Sequence, residues 1–211
     1  MTGDKFVEIY QDKIQRPGAD KLLAWLQKSD FFTAPASTRF HLCCSGGLVE
    51  HSINVYDRLK QFLFSEYAEG ECPYTAEIIA IVSLLHDVCK ANYYEAGWKN
   101  QKTYDEEKIK AAKAKGERVK HDEAGDFIWE MVPTYTVNER FVYGHGEKSV
   151  YIIRSFMGLS TEEASAIRYH MGPWREGEGS DAGKVFSRYP LAFFLHMADE
   201  AASFLDESEE A

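Results

Sequence analysis

The stretch IVSLLHDVCK sets His86 and Asp87 at the end of an apolar run, and this pair constrains the fold more than any other feature of the chain. Burying an unpaired carboxylate costs several kcal/mol or more, so the fold must deliver a neutralising partner to this point. The usual partner of an adjacent His-Asp is a metal ion, which takes imidazole nitrogen and carboxylate oxygen as ligands. Further candidates occupy helical positions: His51 in GGLVEHSINVY, His145 in YGHGEKSVYII, His170 in AIRYHMG and Asp199 in FLHMADEAAS. These residues are far apart in sequence, and only a compact helical core can bring them to one place.

Periodicity predicts helices over 4–15 and 19–28, split by Pro17-Gly18, then over 47–67, 74–89, 145–158, 160–171 and 189–205. Leu48, Val55, Leu59 and Phe62 form one stripe of the third of these, and His51 lies on it. Pro73 precedes the fourth, and Ser160 with Glu163 makes a capping box for 160–171. Residues 99–123 are rich in Lys and Glu spaced to pair along a solvated helix, and their charged part, roughly 105–123, has too few apolar side chains to add to a core. FIWEMVPTYTVNERFVY, broken by Val-Pro and Val-Asn, reads as a short β-hairpin. GPWREGEGSDAGK reads as a Gly-rich loop. The expected organisation is a single domain over 1–211: N-terminal helices in 1–35, a core in 36–205, and an insertion at 99–142 rimming the site. No repeat or linker argues for two domains.

The order His … His-Asp … His … His … Asp, together with GGLVEHS before the first His, the HDxxK spacing from His86 to Lys90, and a late Ala-Asp, resembles the HD superfamily of metal-dependent phosphohydrolases. The likeness spans about residues 36–205. It implies an all-α fold, an HD-domain helical bundle with a small β-hairpin insertion. It also implies a minimal metal site of His51, His86, Asp87 and Asp199. His145 and His170 match the positions that hold a second ion in binuclear members such as the HD-GYP phosphodiesterases, with Asp87 bridging the two ions. No GYP motif follows, so cyclic-di-GMP specificity is not implied. The cofactor expected is one or two divalent transition ions, with Mn, Fe, Zn, Co and Ni all admitted by the mixed ligand set. The chemistry implied is attack of metal-activated hydroxide on a phosphate ester. Asp87 and Lys90 are the expected catalytic residues, Lys90 neutralising charge on the phosphoryl group. A lysine ending a helix also complements the helix dipole, which is the plainer reading of Lys90.

The remaining histidines divide. His121 lies in the charged stretch and reads as a surface residue; His196, three before Asp199, reads as a core residue or a support for a ligand; His41 is a candidate substrate contact. Arg168, Trp174 and Arg175 flank His170 and could serve a nucleotide or simply anchor a loop. Cys43, Cys44, Cys72 and Cys89 include no Cys-x-x-Cys pair and read as reduced thiols, the adjacent pair as small packing residues.

Substrate class follows partly from charge. With 24 basic against 34 acidic residues the net charge is −10, a field that opposes long polynucleotides. PAS before His41, GGLVEHS and HDVCK also resemble the HD part of bacterial 3′–5′ exoribonucleases, but there is no room for their added OB domain. A small phosphorylated partner, a nucleotide, is therefore expected ahead of RNA or cyclic nucleotides. A non-catalytic metal- or nucleotide-binding sensor module is the competing class. No window is apolar enough for a membrane span and the N-terminus lacks a signal-peptide core, so a cytoplasmic protein is expected.

Overall fold

The computed structural model describes residues 2–139, 141–174 and 179–208. Two compact units are present, one built from residues 1–94 and 137–211 and the other from 95–136.

The larger unit is helical. Helices α1 (Thr2–Lys13) and α2 (Ala19–Lys28) are separated where the sequence predicts, at a turn through Gly18. Gly18 has φ +93°, and a Cβ there would lie 2.0 Å from the Phe156 carbonyl oxygen, so only glycine fits. Helix α3 (Gly47–Glu66) is the longest, and it packs against α4 (Ala76–Leu85) and α9 (Pro190–Ala201). Every residue of α4 from Ile79 to Leu85 is buried, so this helix runs through the core, where an apolar surface on all sides is required. Thr75 caps it by accepting from the Ile78 N–H at 3.2 Å. Burial of each large aliphatic side chain, such as Leu84, Leu59 or Leu195, contributes about 1.5–3 kcal/mol.

Helix α4 stops earlier than the predicted 74–89. The His86 ring donates through Nδ1 to Ser83 O at 2.7 Å, and Val88–Lys90 closes as a 3-10 turn. That break turns Asp87 away from the helix axis. Helices α6 (His145–Arg154) and α7 (Thr161–Arg168) pack on one another, α7 starting at the expected capping box of Ser160 and Glu163.

The all-α expectation is overturned. The chain is 55% helical, but it also contains a three-stranded antiparallel sheet, so the class is mixed and mostly helical. Strands β1 (Tyr94–Thr103), β2 (Lys120–Asp122) and β3 (Gly125–Val137) lie in the order β1-β3-β2. Strands β2 and β3 pair with Lys120 opposite Phe127, His121 opposite Asp126 and Asp122 opposite Gly125. The predicted hairpin within 127–143 is thus largely one strand, its partners lying earlier in the chain. Pro133 is admitted because β2 covers only the first residues of β3 and leaves one edge there without a partner strand. Nor is the charged stretch bare: α5 (Glu106–Ala114) buries Ile109 and Ala112, and Phe127 is also buried. In the larger unit, the predicted Gly-rich loop at 172–184 gives way at Gly179 to α8 (Gly179–Arg188). Arg175 lies outside the described residues.

No helix among the described residues is long and apolar enough to cross a membrane.

Candidate metal centre

Five helices converge on one buried cluster. His51 comes from the second turn of α3, His86 and Asp87 from the break after α4, His145 from the first residue of α6, His170 from just beyond α7, and Asp199 from α9. All six predicted ligands are brought together. Asp87 lies at the centre, and its two oxygens face different partners. On the Oδ2 side are His51 Nε2 at 3.7 Å and His86 Nε2 at 3.5 Å. Toward Oδ1 are His145 Nε2 at 2.7 Å and His170 Nε2 at 3.5 Å. Asp199 Oδ1 completes the first side, 3.1 Å from His51 Nε2 and 3.8 Å from His86 Nε2.

Close backbone packing makes the second side possible. A Cβ on Gly146 would lie 2.2 Å from the Arg168 carbonyl oxygen, so its absence lets the start of α6 press against the end of α7. His145 and His170 flank that contact, with ring centroids 5.2 Å apart.

The rings are oriented from behind. His86 Nδ1 donates to Ser83 O and His170 Nδ1 to Ile167 O at 2.6 Å, which leaves both Nε2 atoms with lone pairs directed at the cluster. His196 Nδ1 in turn donates to His170 O at 2.7 Å, supporting that turn from α9 and agreeing with its predicted supporting place. Buried His170 Nε2 has no hydrogen-bond partner. An orphaned buried nitrogen is rare and costly, and a metal ion is one partner that would satisfy it. Several groups of these side chains have ligand atoms close enough to hold an ion: His51 with His86 and Asp87, His86 with His170 and Asp199, and Asp87 with Cys89 and His145. The donor set is mixed imidazole and carboxylate, which suits a divalent transition ion and does not choose among them.

Electrostatics point the same way. Burial works to raise the Asp87 carboxyl, but the Lys90 ammonium and the charge and hydrogen bond of His145 outweigh it and hold it well below the usual range. Asp199 is likewise held low despite burial, by its hydrogen bond from His51 and the surrounding imidazoles. Burial pushes His86 down to about 4, so its ring is neutral. Burial also opposes charge on His51 and His145, yet hydrogen bonds and carboxylate charge lift His51 to about 9, and Cys89 and Asp87 lift His145 to about 10.

Lys90 sits 2.6 Å from Asp87 Oδ2. It also lines a cavity of about 140 Å³ with Cys89, Tyr93, Glu139, Tyr143, His145 and Lys148. His145 and Lys90 thus belong to both the cluster and the cavity. The sequence alone does not single out Lys148. It is buried on α6, bonded to Glu139 at 2.7 Å, with its ammonium 4.7 Å from the Tyr93 ring centre. Its position three residues after His145 on a helix is the signal that could have found it. Cys89, also missed as a site residue, has its sulfur 3.4 Å from His145 Nδ1.

Other expected residues fall elsewhere. His121 is exposed and pairs with Asp126. His41 Nδ1 lies 2.5 Å from the Glu207 carboxylate beside His51. Cys43 and Cys44 are exposed, contrary to a packing role, because the 37–46 segment runs over the surface there. Arg168 pairs with Glu147 at 2.9 Å. Comparison with protein-family models, curated proteins and solved structures finds no match to this chain.

Proposed function

We propose that this chain is a metal-dependent phosphohydrolase of the HD superfamily, acting on a phosphate ester of nucleotide size. The observation that carries the reading is the placement of Asp87, its two oxygens directed to two separate histidine pairs and its flank touching a lysine that lines a cavity. His51, His86, Asp87 and Asp199 would hold one ion; Asp87, His145 and His170 would hold a second. Ions bound there would supply Lewis acidity and a nucleophilic water at neutral pH.

The chain's own residues do the rest. Lys90 and Lys148 place two ammonium groups on the cavity wall, where they bind an anionic phosphoryl group and offset charge that grows on its oxygens. Glu139 and the Tyr93 face hold Lys148 in place, so little freedom is lost when the anion arrives. Asp87 keeps its carboxylate form and orients the imidazoles around it. The cavity is smaller than the 300–1,000 Å³ usual for a whole small molecule, which fits a phosphoryl group with the remainder of the substrate outside.

A screen of nucleoside mono-, di- and triphosphates, cyclic nucleotides and simple phosphate esters with Mn²⁺, Co²⁺, Ni²⁺, Fe²⁺ and Mg²⁺ tests the reading. Hydrolysis that chelation abolishes is expected. No turnover of any ester by metal-replete protein would overturn it in favour of a sensor module.

A further inference from the structure

The end of the chain carries a buried carboxylate that the ligand set does not include. Glu207 follows the π-helical turn Ala202–Asp206, which prolongs α9. Its own N–H reaches Ala202 O at 3.1 Å, and Arg58 Nε bonds the adjacent Asp206 at 2.7 Å. π-turns are rare and often occur at functional sites. Here the turn brings the Glu207 side chain back against α3. His51 Nδ1 lies 3.1 and 3.0 Å from its two oxygens, Asn54 Nδ2 donates to Oε1 at 2.9 Å, and His41 Nδ1 is 2.5 Å from Oε2.

We propose that Glu207 is a positioning residue of the metal centre, acting through His51. His86 and His170 each spend Nδ1 on a backbone carbonyl; His51 alone among the three faces a carboxylate there. With Nδ1–H donated to Glu207, the proton that His51 would give up to an ion is the one on Nε2, and it is this atom that faces Asp87 and Asp199. A carboxylate behind an imidazole fixes its tautomer and ring plane and makes it a stronger donor to a metal. The π-helical turn Ala202–Asp206 is thereby tied to the strength of ion binding. The inference rests on the metal-centre reading but not on any reaction.

Its test is the affinity of the full-length chain for Co²⁺ and Zn²⁺, measured by competition with a chelator. Glu207→Ala should weaken binding about 10–100-fold at unchanged stoichiometry. Glu207→Gln, which keeps an oxygen to accept from Nδ1, should lose less and shift the visible spectrum of the Co²⁺ form. Wild-type affinity and spectrum in a folded Glu207→Gln and Glu207→Ala would overturn the proposal, whatever their melting temperatures. Loss of one whole ion at unchanged affinity for the other would also overturn it, since Glu207 would then be a ligand itself. A wild-type chain with no affinity for either ion would overturn it together with the metal centre. Because affinity is the readout, the role of Glu207 stands or falls separately from whether any phosphate ester is turned over.

Discussion

The same kind of contact has opposite meaning in the two units of this protein. In the sheet unit, His121 Nδ1 lies 2.9 Å from Asp126; in the helical unit, His145 Nε2 lies 2.7 Å from Asp87. The first pair stands in solvent, the His121 side chain 74% exposed, and water competes for every group in it. Lys102–Asp122, Lys108–Glu130 and Lys113–Asp126 around it are surface pairs of the same kind. Asp87, by contrast, has a side chain 3% exposed, with Lys90 and four imidazoles around it. Proximity of histidine to carboxylate therefore says little; what separates decoration from a site is how many such groups share one desolvated volume.

The sharpest way to break this comparison is to remove the same charge from each place. Asp87→Asn should empty the centre of metal and take hydrolysis below detection, by elemental analysis and turnover assay. If Asp87→Asn kept wild-type metal and activity, the chemistry would lie elsewhere. A smaller effect should separate the two sides of Asp87. Wild-type protein should hold about two ions per chain, and His145→Ala or His170→Ala should drop mainly one of them. Loss of both or of neither would dissolve the division between the carboxylate oxygens.

Lys148→Met comes next. It removes a charge-assisted hydrogen bond of about 1.5–3 kcal/mol, so KM for the phosphate ester should rise roughly 10–100-fold. An unchanged KM would restrict Lys148 to packing against Tyr93.

Acidity gives a further measure. Folding raises His51 to about 9 and His145 to about 10, above the unperturbed value near 6.5. Their protonation therefore stabilises the metal-free fold fully below pH ~6.5, and this contribution disappears as pH climbs through 9 to 10. Ions need the unprotonated nitrogens, so affinity should weaken as pH falls below about 9. Filling the centre at pH 7 should expel about two protons per chain, read by calorimetry in buffers of different ionisation enthalpy. Uptake without proton release would contradict the assignment of these two rings. The smallest effect belongs to the exposed pair: Asp126→Asn should leave melting temperature, metal content and KM unchanged.

The same divide decides what could be read from the chain. Helix α2 and the start of α3 fall where predicted, and the six candidate ligands meet, because helical periodicity and isolated polar residues on apolar faces are local signals. The sheet was only partly legible, β3 falling in the segment read as a hairpin while β1 and β2 escaped, for a physical reason. Strand β1, YEAGWKNQKT, has no apolar alternation and is mostly exposed, and its partner β3 is more than twenty residues away. Hydrophobic pattern identifies a strand only when one face is buried. Helix α8 starts in a segment whose glycines argued for a loop, and its neighbours α9 and the Gly172–Trp174 turn supply packing that composition does not reveal. Glu207 was hidden in the acidic run DESEEA, indistinguishable from solvated neighbours until the π-turn buries it.

The convergence of α3, α4, α6, α7 and α9 on one point has a thermodynamic consequence for how the protein acquires its shape. No single helix, and no adjacent pair, contains the full set of donors. A chain with α9 or α6 undocked offers only scattered side chains that compete poorly for an ion. An ion held at this centre would therefore favour the finished fold and pull the folding equilibrium toward it by mass action: free ion at 100 times its dissociation constant would add about 2.7 kcal/mol. That is a sizeable share of the 5–15 kcal/mol by which domains of ordinary size are stable. Such an ion would act as an inspector of assembly, rewarding only chains in which every helix has arrived.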